Sequence, residues 1–112
     1  MESMPKISKN KLDKNTYDFL SNNLICALTD LNNKKDVTSL MDSLFTQTER
    51  LMLAKRLAIA ALLERGLSYK KISNLLKVSS VTIGFVKNGI MKNNNPYAQL
   101  INKIASKLSI EP

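Results

Sequence analysis

Apolar residues recur along this chain at steps of three and four, the spacing of one face of an α-helix. Tyr17, Leu20, Leu24, Ala27, Leu28 and Leu31 form the first such stripe and predict a helix over about 15–31. Asn32-Asn33-Lys34-Lys35 reads as a turn, and Val37, Leu40, Met41 and Leu44 mark a shorter helix over about 36–44. Thr46-Gln47-Thr48-Glu49 fits a capping box: the Thr46 hydroxyl accepts from the Glu49 amide, and the Glu49 carboxylate accepts from the Thr46 amide. The third helix then runs to about Arg65, with Gly66 as its expected left-handed stop. Between Leu51 and Leu63 only Lys55 and Arg56 are polar. A helix apolar almost all round needs more than one neighbour, which predicts a central place at a dimer interface.

Ser68 is placed to cap a fourth helix with Ile72, Leu75 and Leu76 on its buried side. Val78 fills a tight turn. Ser79 or Ser80 starts a fifth helix whose apolar positions are Val81, Ile83 and Val86, and Asn88-Gly89 is expected to end it. Asn95 as cap and Pro96 as first residue predict a last helix carrying Leu100, Ile101, Ile104 and Leu108 on one face. There is no strand pattern and no internal repeat. The expected fold is all-α with about six helices. A polar arm over 1–14 precedes a single helical domain over 15–112.

Residues 68–87 have the form of a helix-turn-helix. Ile72, Leu76, Val78, Ile83 and Val86 give two crossing helices a small shared core. Two positions work against it. Lys77 falls where such turns favour glycine, and a left-handed non-glycine costs on the order of 1 kcal/mol. Gly84 inside the second helix costs about 1 kcal/mol relative to alanine.

Charge adds a direction. The chain has 112 residues, which bounds it to about one domain, and a net charge of +8. Residues 1–45 balance six lysines against six acids. The other eleven basic residues face only Glu49, Glu64 and Glu111, so the whole excess lies in 46–112. From Arg65 to Ile110 there are eight basic residues and no Asp or Glu. A carboxylate-free basic helix-turn-helix suits a polyphosphate surface, because any acid near a phosphate costs Coulomb energy.

Missing residue types narrow the chemistry. Without His there is no His-dependent catalysis and no His-ligated metal. Cys26 is alone, so neither an intramolecular disulfide nor a Cys-rich zinc site is available, and it reads as a small apolar residue on a helix face. No nucleophile–base pair or Gly-rich phosphate loop is present, so no enzyme, cofactor or metal is expected. Met1–Asn15 lacks the apolar core of a secretory leader, and Leu51–Leu63 is too short and too charged to span a bilayer. A soluble cytoplasmic protein is expected.

The functional expectation is a regulator that binds double-stranded DNA. The fifth helix would turn Ser79, Ser80, Val81, Thr82 and Gly84 toward base edges. Tyr69, Lys70, Lys71, Lys77 and Lys87 would contact the phosphate backbone. The alternative is a helical interaction module whose basic face docks on an acidic protein such as the transcription machinery.

The run Leu44-Phe45-Thr46-Gln47-Thr48-Glu49-Arg50-Leu51, the Arg56 seven residues after Glu49, and Leu62-Leu63-Glu64-Arg65-Gly66-Leu67-Ser68 leading into the helix-turn-helix resemble the tryptophan repressor family. The likeness covers about 15–108 in layout and is specific over 44–86. Sigma-factor-like domains share the Glu-Arg start and the Gly-x-Ser entry, but their intervening helix is usually shorter than Glu49 to Gly66. The resemblance implies an intertwined all-helical homodimer whose two helix-turn-helix units read successive major grooves. It also implies a ligand pocket at Thr46, Arg56 and Phe85. In the family a tryptophan sits between an Arg of the third helix, matched here by Arg56, and an Arg of the recognition helix, replaced here by Phe85. Each charge-assisted hydrogen bond in such a clamp is worth about 1.5–3 kcal/mol. The expectation is therefore a repressor-like protein that needs no small-molecule corepressor.

Overall fold

The computed structural model describes residues 12–91 and 97–108. The described residues form six helices and no strand: α1 (Lys14–Thr29), α2 (Lys34–Leu44), α3 (Gln47–Glu64), α4 (Tyr69–Leu76), α5 (Ser80–Met91) and α6 (Tyr97–Lys107). None of them is long and apolar enough to cross a membrane. Residues 1–11 of the expected arm over 1–14, and the expected loop and cap at Asn93–Pro96, lie outside the described residues, while Asp13 caps α1 and Lys14 is its first residue. The chain divides into two compact units, Met1–Thr48 and Glu49–Pro112.

In the first unit the helices are set by their caps. Asp13 starts α1: its carboxylate accepts from the Thr16 amide at 2.7 Å. That bond holds the Asp13 carboxyl below the usual carboxylate range. Asn33 starts α2 two residues earlier than the apolar stripe implied. Its side-chain oxygen accepts from the Asp36 amide at 2.8 Å, and its side-chain amide donates to the Asp36 carboxylate at 2.9 Å. The first satisfies an amide that the opening helical turn leaves without a partner, and the second ties the two side chains together. α1 ends at Thr29, not Leu31, with Asp30 as its C-cap. Neither α1 nor α2 has a buried residue. Tyr17, Leu20, Leu24 and Leu28, the expected core stripe, are all exposed.

The second unit has a closed core. Ile59 and Leu62 of α3, Ile72 of α4 and Ile83 of α5 are each 0% exposed. Leu63, Leu67, Tyr69, Leu76, Val78 and Val86 pack around them. All five residues expected to hold the helix-turn-helix together therefore lie in this cluster. Leu75 does not: it was expected to be buried and is 44% exposed.

The joints follow from backbone chemistry. α3 stops in a Schellman turn, with the Gly66 amide donating to the Leu63 carbonyl and the Leu67 amide to the Leu62 carbonyl. Gly66 has φ +84°, as a left-handed stop requires. Ser68 then caps α4, its hydroxyl accepting from the Lys71 amide at 3.2 Å. α5 continues through Gly89 to Met91, past its expected end. α6 is tied back by Arg65, whose guanidinium donates to the carbonyls of Ala105 at 2.7 Å and Leu108 at 3.2 Å. A cation at the last carbonyls of a helix also meets the negative end of its dipole.

Candidate nucleic-acid interface

The turn between α4 and α5 is fixed from three sides. Lys77 adopts the left-handed conformation, φ 57° and ψ 52°, which its sequence position foreshadowed. Its cost of about 1 kcal/mol is offset by the bonds it permits. The Lys77 amide donates to the Ser73 carbonyl at 2.9 Å. The Ser73 hydroxyl donates to the Val78 carbonyl at 2.6 Å. The Lys55 ammonium, from α3, donates to the Lys77 carbonyl at 3.4 Å. Ser73 and Lys55 carry structural roles that sequence reading missed. Lys55 was visible only as one polar residue in an apolar run, and its partner lies 22 positions away.

α5 opens with its own cap. The Ser79 hydroxyl accepts from the Thr82 amide at 3.2 Å, and the hydroxyls of Ser79 and Thr82 lie 3.1 Å apart. These two proposed base-facing residues are thus engaged with each other. Ser80 is exposed and Val81 is 80% exposed. Gly84 is half-buried, and a Cβ built on it meets nothing within 4 Å. Internal packing therefore does not require glycine there.

The basic residues are displayed outward. Lys70, Lys71, Lys77 and Lys87 are exposed. Among the described residues, none of Lys70, Lys71 and Lys77 is paired with a carboxylate. Lys87 lies with its ammonium 5.7 Å from the centre of the Tyr69 ring, linking α5 to α4. Tyr69 itself packs on the core, which makes it first a structural side chain. The positive charge between Arg65 and Ile110 has no acidic residue in that stretch to offset it.

Of the three residues expected around a ligand, two meet. The Arg56 guanidinium stands 5.1 Å from the centre of the Phe85 ring, a cation–π contact between α3 and α5. Thr46 belongs to the first unit. Beside Arg56 lies a cleft of about 300 Å³ lined by Met52, Lys55, Arg56, Lys77, Val78, Ser79 and Thr82. Three of its seven lining residues are cations and none is an acid.

The described residues are all helical and display an outward basic helix-turn-helix. The chain belongs to the Trp repressor protein family, whose model matches residues 15–105. Neither a curated protein nor a solved structure matches it. The family is one of DNA-binding transcriptional regulators, not of enzymes.

Proposed function

We propose that this protein is a sequence-specific, repressor-like transcriptional regulator that binds double-stranded DNA in the cytoplasm as a homodimer. The observation that carries this reading is the helix-turn-helix with a closed core and outward lysines that meet no carboxylate among the described residues. α5 is the reading helix, with Ser79, Ser80, Val81, Thr82 and Gly84 on its leading part. Lys70, Lys71, Lys77 and Lys87, with Tyr69 behind them, are assigned to the phosphate backbone. The exposed apolar stripe of α1, with Leu20 at 50% and Leu24 at 43%, supports a second copy as its cover. Large contiguous apolar surface on a water-facing helix marks an association site.

Tryptophan is not required in this reading. A carboxylate clamp calls for two cations, and here Phe85 stands against Arg56 in place of the second. The Arg56–Phe85 contact joins α3 to α5 without a ligand.

The test is a salt titration of binding to duplex DNA. The logarithm of the affinity should fall linearly with the logarithm of salt concentration. Lys70→Glu/Lys71→Glu should lower the slope by about 0.9 for each phosphate contact removed. Added tryptophan should leave the curve unchanged. A flat salt dependence, or a double variant that binds DNA normally, would reject the assignment and favour docking on an acidic protein.

A further inference from the structure

We propose that α5 reads its DNA site through thymine methyl groups, with Val81 and Phe85 as the reading side chains. This rests on the DNA-binding reading above and narrows it to a chemistry. From Val78 to Val86 the sequence is Val-Ser-Ser-Val-Thr-Ile-Gly-Phe-Val, with no Arg, Lys, Asn, Gln, Asp or Glu. Those six are the side chains that make bidentate or charge-assisted hydrogen bonds to guanine, adenine or cytosine edges in the major groove. Of the three hydroxyls that remain, those of Ser79 and Thr82 bond to each other and Ser79 also accepts from the Thr82 amide, which leaves Ser80 as the one hydroxyl with no such partner among the described residues. What the helix does present is apolar. Val81 is 80% exposed and Phe85 is 63% exposed. They stand four residues apart, so they share one face of α5. Ile83, on the same helix, is fully buried, which shows that α5 already has a separate core face.

The surroundings specify the occupant. Lys77 and Lys87 bracket the apolar pair in sequence, both exposed, within the carboxylate-free stretch from Arg65 to Ile110. An apolar strip on a helix that carries exposed lysines before and after it in the chain suits a groove whose floor carries methyl groups and whose walls are phosphates. Arg56 stands over the Phe85 ring at 5.1 Å, which puts one cation directly beside this reader.

The test uses the duplex that the protein itself enriches from a random-sequence pool. That duplex is rebuilt with deoxyuridine for every thymidine, which removes the 5-methyl groups and keeps pairing and charge. Affinity should fall roughly fourfold per contacted methyl, taking about 0.8 kcal/mol for one buried CH₂. Val81→Ser and Phe85→Ala are exposed positions, so both variants should keep the native helical circular dichroism. Each should bind the thymidine duplex more weakly and narrow the difference between the two duplexes. Equal affinity of the native protein for both duplexes would overturn methyl reading while leaving DNA binding intact. Enrichment of no duplex at all would overturn both, and would fit an acidic protein partner instead.

Discussion

The two compact units use the same apolar alphabet with different outcomes. In Glu49–Pro112 the residues Ile59, Leu62, Ile72 and Ile83 are sealed from water by one another and by their neighbours. In Met1–Thr48 a stripe just as regular leaves Tyr17, Leu20, Leu24 and Leu28 at 43–62% exposure. α3 repeats the contrast along its own length. Ala58–Leu62 are buried, while Leu51, Met52, Leu53 and Leu57 remain 40–55% exposed. A helical period says that a face will be covered. It does not say by what. The helix-turn-helix finds its cover within one chain; the first unit and the front half of α3 leave their apolar side chains exposed.

The largest expected effect falls on the closed core. Ile83→Ala should cost about 2–5 kcal/mol of unfolding free energy, read by urea denaturation, because it opens a cavity among rigid neighbours. A loss below that range would mean the core is looser than its full burial implies. The next effect belongs to the first unit. Leu24→Asp should weaken self-association by roughly thirtyfold, about 2 kcal/mol at a well-packed interface, as read by sedimentation equilibrium. Helicity should persist. An unchanged association constant would mean that this stripe is ordinary solvent-facing surface.

Much of the second unit was legible because its signals are local. Ser68 as cap, Gly66 as left-handed stop and Lys77 at positive φ each depend on a few adjacent residues, and each is found as expected. The core of Ile72, Leu76, Val78, Ile83 and Val86 follows from spacing alone. Boundaries failed where a cap outranked the apolar stripe: Asn33 opens α2 early, and Asp30 closes α1 before Leu31. Gly89 failed as a stop because glycine inside a helix costs only about 1 kcal/mol and need not break it. Leu75 was misjudged because burial depends on what lies opposite. The Arg56–Phe85 contact spans two helices, so no local pattern could announce its geometry. The same holds for Lys55, whose role appears only when α3 meets the turn it supports.

Hydroxyl-radical footprinting on the enriched duplex tests the central claim most directly, because it reads DNA contact and two-fold assembly together. Two protected stretches on one face, their centres about one helical turn or roughly 34–36 Å apart, are expected from a pair of helix-turn-helix units. A single protected stretch would contradict the paired arrangement, and an unprotected duplex would contradict DNA binding itself.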